Sequence, residues 1–192
     1  GSVTLLGYDW EYRRPLLEGV ELRGDGGVVA TDRHRGSDGE VLHDDITFAI
    51  ELRDPGDIVV ARVTNRWRFR RSGAASHQSP APTHQGGAAI PARTSGDVSA
   101  ERMKTMAALL RDPYPIHWDV EAVRAAGLGE RPVNQGPLNL GYVANMLMAW
   151  AGDGSIRRLS VAFHGRVFAG DTVVATGEAI DAVDLDGVPG TR

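Results

Sequence analysis

From Gly136 to Trp150 the chain reads Gly-Pro-Leu-Asn-Leu-Gly-Tyr-Val-Ala-Asn-Met-Leu-Met-Ala-Trp, and Leu138, Leu140, Tyr142, Val143, Met146, Leu147 and Trp150 leave little polar surface. A helix that is apolar on most sides has to be enclosed by other elements, so this stretch predicts a core helix. Pro137 marks its start, because a first helical residue has no intrahelical partner for an N–H. Upstream, Met103, Met106, Ala107 and Leu110 recur at helical spacing behind Ser99, a capping residue, until Pro113 stops the run. Asp119 is placed to cap a second, short helix over residues 120–126, closed by Gly127.

The pattern changes in residues 1–72. Asp9-Trp-Glu-Tyr-Arg13, Val28 to His34, Ile46 to Leu52 and Ile58 to Arg70 are rich in β-branched and aromatic residues, and Gly/Asp-rich segments separate them. An antiparallel meander follows, with turns expected at Arg23 to Gly27, Gly36 to Gly39 and Arg53 to Asp57. In the last strand Arg66, Arg68 and Arg70 alternate with Trp67 and Phe69, so the cations share one face. Between a solvated sheet edge and a seat for a phosphate-bearing acyl carrier, the former is the favoured reading of these arginines.

Residues 73–96, rich in Ser, Ala, Gly, Pro and Gln, read as a linker, and residues 97–192 as the site-bearing part. After a turn at Gly152 to Ser155, two further strands, residues 157–168 and 172–183, are expected to form a hairpin around Ala169-Gly-Asp171. The end, residues 186–192, looks like an interrupted hairpin. The first part has strands without a long helix and the second has a long helix with two strands. Either the early strands complete a sheet around the long helix, or the chain is an excerpt or truncation of a longer tandem protein; the latter is favoured.

Composition narrows the function classes. The 192 residues are 42% hydrophobic and 24% charged, which describes a globular chain, and no apolar run is long enough to span a bilayer. A net charge of −4 argues against nucleic acid as partner, since phosphate neutralisation needs a basic surface. Cysteine is absent, so no disulfide or thiolate site is available, in keeping with a reducing, cytoplasmic setting. His77 and His84 lack acidic companions at ligand spacing, His164 reads as a surface or packed residue, and no metal site or cofactor is expected.

The candidate chemistry lies in Asp112-Pro-Tyr-Pro-Ile-His117, where a carboxylate and an imidazole stand five positions apart across two prolines. Both belong to a stiff bend, which fixes polar side chains at little entropic cost. The start of the long helix, with amides near Gly136 and Leu138, offers donors for a carbonyl oxygen or an anion. Either a loop hydrogen bond or a catalytic pair would account for Asp112 and His117.

Four segments taken together resemble the MaoC-type (R)-specific enoyl hydratase/dehydratase family. They are Asp112-Pro-Tyr-Pro-Ile-His-Trp-Asp119, Arg124-Ala-Ala-Gly-Leu-Gly129, Asn134-Gln-Gly-Pro-Leu138 and Phe163-His-Gly-Arg-Val-Phe-Ala-Gly-Asp-Thr172. The resemblance covers residues 97–183, and the preceding strands are similar, more weakly, to the N-terminal half of tandem hot-dog dehydratases. It implies an α+β hot-dog fold, with an antiparallel sheet wrapped around one long helix. It further implies a hydro-lyase acting on enoyl or 3-hydroxyacyl thioesters of coenzyme A or acyl carrier protein, without cofactor, as a homodimer or paired subunit. Asp112 and His117 would be the catalytic pair, with Gly136, Leu138, Tyr114 and Asn134 around the substrate oxygen. Two positions depart from the family pattern: Arg111 stands where Gly is usual and Tyr114 where Asn is usual. A non-catalytic acyl-binding subunit and a hot-dog thioesterase are the alternatives.

Overall fold

Four long strands in the first third of the chain pair in antiparallel fashion, as their alternation requires. The computed structural model describes residues 3–16, 19–71, 87–185 and 187–192. The chain divides into two units, one of residues 1–80 with 154–165, the other of residues 81–153 with 166–192. His77, His84 and most of the expected linker lie outside the described residues.

The first unit is a five-stranded sheet in the order β2-β3-β4-β1-β6, made of β1 (Val3–Tyr12), β2 (Arg23–Arg35), β3 (Val41–Arg53), β4 (Val59–Arg70) and β6 (Arg158–Ala162). All its pairings are antiparallel. The predicted meander is present, and turns occur at Gly36 to Gly39 and at Arg53 to Asp57, where Asp57 takes a φ of 64°. Arg23 to Gly27 is not a turn. It is the first part of β2, paired with Leu52, Ile50 and Ala49 of β3. Glycine serves closeness here: a Cβ at Gly26 would lie 2.7 Å from the Ala49 carbonyl oxygen.

The alternation on β4 is realised on a central strand, so the arginine row lies on a face of the sheet and not at an edge. Arg68 is committed to Asp45 on β3, its Nε and Nη2 each 2.7 Å from a carboxylate oxygen. Trp67 and Phe69 turn to the opposite face, where Val3, Val28, Phe48 and Ile50 join them in lining an open groove of about 780 Å³.

The second unit holds β5 (Ala88–Asp97), α1 (Ala100–Leu110), a 3-10 turn (Pro115–His117), α2 (Val120–Ala125), α3 (Gly136–Ala151), β7 (Thr172–Ala179) and the hairpin β8 (Ala182–Leu185) with β9 (Val188–Thr191). The caps fall where the sequence puts them. Ser99 accepts from the Arg102 N–H, and Asp119 accepts from those of Glu121 and Ala122. Among the described residues, no helix is long and apolar enough to cross a membrane.

Three expectations are corrected. Residues 88–96, read as linker, belong to β5, which pairs with β7. Strands β6 and β7 do not form a hairpin: β6 pairs with β1 and β7 with β5, and Ala169 to Asp171 is a turn between strands of different sheets. The helix α3 is not enclosed on most sides. Met146 is buried with Ile90 and Ala175, Leu147 packs beside them, and Val143 and Trp150 remain exposed. The close approach at the covered side depends on Gly177, where a Cβ would stand 3.3 Å from Met146 Cε and 3.4 Å from Ile90 Cδ1. A second cluster, Ile116, Val123 and Val133 with Leu128 and Phe168, holds the 3-10 turn and α2 together.

Candidate active site

The end of α1 sets the geometry of the bend. Arg111 closes the helix in the left-handed region, φ 51° and ψ 40°, and the Asp112 N–H reaches back to the Ala107 carbonyl at 2.9 Å. A left-handed closing residue is ordinarily glycine, which explains why an arginine at this position departs from the family pattern. Relief of this strain, set against the extra chain entropy of glycine, predicts that Arg111→Gly raises stability by about 0.5–1 kcal/mol, read from the urea unfolding midpoint.

Asp112 then projects beside His117. Its Oδ2 lies 3.4 Å from His117 Nε2, and its Oδ1 accepts the Tyr114 backbone N–H at 3.0 Å. The carboxylate is thus oriented by the main chain, and the side chain at position 114 does not decide that bond. The Tyr114 ring instead meets the imidazole edge-on, with centroids 6.0 Å apart and an interplanar angle of 86°. The pair does not stand on a wholly non-helical bend, because Pro115–His117 forms one turn of 3-10 helix.

His117 is 8% exposed, and its Nδ1 lies 2.6 Å from the Val133 carbonyl oxygen. A carbonyl only accepts, so Nδ1 carries the hydrogen, and in the neutral ring Nε2 presents a lone pair toward Asp112. Val133 is held from both sides: its N–H donates to Ile116 O at 2.9 Å, and it forms a bridge with Phe168. Asp171 fixes Phe168 in turn. Its Oδ2 accepts the Phe168 N–H at 3.0 Å, and its Oδ1 accepts from Arg131 at 2.6 Å. Those two partners, the backbone N–H first, hold the Asp171 carboxyl below the usual carboxylate range. A depressed folded-state pKa stabilises fully above the unfolded value, near 3.9, and that contribution is lost as pH falls through the lower folded value. Asp171→Asn is therefore expected to flatten the loss of stability below about pH 4, measured as urea midpoints across a pH series.

From Val133 the chain runs through Asn134 and Gln135 into α3. Gln135 is 1% exposed and its Nε2 donates to the Met103 carbonyl at 2.8 Å, which ties the start of α3 to α1. The Gly136 N–H makes no hydrogen bond to a described residue, whereas the Leu138 N–H, expected to be open, donates to Gln135 O at 3.1 Å. Only the first of the two anticipated amides is therefore available. Asn134 is 3% exposed, and its Nδ2 donates to Asn139 Oδ1 at 2.6 Å. Its own Oδ1 and the Gln135 Oε1 are buried without partners among the described residues. The structure thus joins Asp112, Tyr114 and His117 directly and leads from the imidazole's carbonyl partner to Gly136. It also adds Val133 and Gln135, which the sequence did not single out: a carbonyl acceptor has no side-chain signature, and Gln135 reads as part of a helix start.

A sequence profile of the MaoC-like domain matches residues 83–188, more than half of the chain. This chain belongs to the MaoC-like domain family. Among curated proteins none matches the sequence. Solved structures extend the likeness over the whole chain. A MaoC-like dehydratase superposes with a TM-score of 0.78 at 18% identity, over 100% of this chain and 73% of that one. The full-length peroxisomal multifunctional enzyme type 2 of Drosophila melanogaster gives 0.68 at 18%, over 98% of this chain and 33% of that one. A Mycobacterium tuberculosis protein described as a double hotdog fold gives 0.68 at 15%, over 97% and 66%. At such identities the likeness establishes the fold, which is the α+β hot-dog. Within this MaoC-like chain, the profile takes in the Asp112 to His117 bend, the start of α3 and β7.

Proposed function

We propose that this chain is a hydro-lyase that adds water to enoyl thioesters, or removes it from 3-hydroxyacyl thioesters, with Asp112 and His117 as the groups that hold the water. The observation that carries this reading is the 3.4 Å separation of Asp112 Oδ2 from His117 Nε2, which in the neutral ring is an acceptor because Nδ1 donates to the Val133 carbonyl. Two acceptors side by side repel each other unless a donor joins them, and water has two O–H groups to give. Its oxygen lone pair then points away from both and toward a substrate carbon.

In the hydration direction the water oxygen bonds to the β-carbon while one of its protons passes to the Asp112/His117 pair. The electron pair of the double bond moves onto the thioester oxygen. The Gly136 N–H at the start of α3 is the donor proposed for that enolate, a kind of contact typically worth about 2.7–4 kcal/mol in the transition state. The proton held by the pair then goes to the α-carbon, and the hydrated thioester is complete. Dehydration runs the same steps in reverse. Coenzyme A and acyl carrier protein are both suitable carriers, and assembly as a dimer or with a paired hot-dog subunit belongs to the same proposal.

A second reading, an acyl-binding module without turnover, is favoured by the Tyr114 ring lying against the imidazole. One assay separates the readings. Loss of conjugated-thioester absorbance with formation of the 3-hydroxyacyl product supports the hydratase. Release of free thiol indicates a thioesterase, and saturable binding with neither product indicates a binding module.

A further inference from the structure

We propose a divalent transition-metal site in the first unit, formed by His34, His43 and Asp45. The three sit on one face of the β2/β3 pair. His34 and His43 are directly opposed in register, and Asp45 follows His43 two residues along β3. One ligand atom from each lies within 4.8 Å of the others. The imidazole rings stack with centroids 4.3 Å apart, and the Nε2 atoms of His34 and His43 stand 3.7 Å and 3.9 Å from the Asp45 oxygens.

Those separations exceed a hydrogen bond, so neither imidazole is satisfied by the carboxylate. Among the described residues, His43 Nε2 is buried and makes no hydrogen bond. A buried ring nitrogen without a partner calls for an ion or a water. Zinc at about 2.0–2.1 Å from each ligand puts neighbouring donor atoms roughly 3.3 Å apart, so the trio closes on an ion by roughly 0.5–1.5 Å per gap. His34, with its side chain 47% exposed on edge strand β2, has the freedom to make that movement. Two imidazoles and one carboxylate suit zinc and its first-row neighbours better than magnesium or calcium.

The charges on this face set the strength. Asp32 lies opposite Asp45, and Arg68 and Arg70 of β4 lie opposite Asp45 and His43. Arg68 holds both Asp45 oxygens, orienting the ligand as supporting hydrogen bonds do in metal sites while offsetting its charge. The site is therefore moderate in affinity. A bound ion would tie the edge strand β2 to β3.

The test is calorimetric titration of zinc into the tag-free 192-residue chain. One zinc per chain is expected, with binding weakened roughly tenfold or more in His34→Ala, whose exposed side chain the fold does not need. Absence of saturable binding, or equal affinity in His34→Ala, would each overturn the site.

Discussion

Asp112→Asn lowers the rate of enoyl-thioester hydration by about 10²–10⁴-fold, the range for loss of a positioned acid or base, with little change in the unfolding midpoint. The amide has the shape of the carboxylate, and its oxygen still accepts the Tyr114 N–H that orients Asp112 at 3.0 Å. Its NH₂ now faces His117 Nε2 across the 3.4 Å gap and can donate to it directly. The lone pair that received the water is thereby occupied, and no second acceptor remains. His117→Ala is expected to cost a similar factor. The double variant should cost little more than either alone, because the two groups act on one water. Steady-state kinetics on the three variants checks this. A folded Asp112→Asn with more than a tenth of the parent rate would show that water is held elsewhere.

The largest expected loss of stability from a single methyl group is at Gly7. This residue follows a register irregularity in β1 and lies between β4 and β6, opposite Arg66 on one side and Ala162 on the other. A Cβ there would overlap the Val161 carbonyl oxygen, which is main chain and cannot turn aside as a side chain would. Gly7→Ala therefore forces β6 off β1 and puts at risk the neighbouring bond from the Phe163 N–H to Leu6 O at 3.0 Å. A cost of about 3 kcal/mol or more follows from overpacking against backbone. Urea unfolding measures it, and an unchanged midpoint would mean that β1 and β6 can separate freely.

Local chemistry in the sequence was a good guide wherever one residue decides one element. Ser99, Asp119 and Pro137 each mark a helix start that the structure contains. The Asp112/His117 pair was legible because two prolines stiffen a six-residue segment, so sequence proximity became spatial proximity. What failed was pairing between distant segments. Residues 88–97 carry little β-propensity, and Pro91 lies where the register shifts between Ile90 and Arg93, so only the partner β7 reveals a strand. Arg23 to Gly27 looks like a turn by composition, yet its glycines let β2 lie close against β3. The meeting of His34, His43 and Asp45 is likewise a matter of register, which no spacing rule along one strand displays.

The assignment of β6 to the sheet of the first unit has a practical consequence. The chain passes from one unit to the other, back, and across again, so no single cut yields two complete pieces. A fragment ending near residue 80 would lack the outermost ribbon of its sheet, and the open rim of β1 would be left to recruit a neighbouring molecule. Insolubility of such a fragment would thus report a dissection that the connectivity forbids, and would say nothing against the integrity of the whole chain.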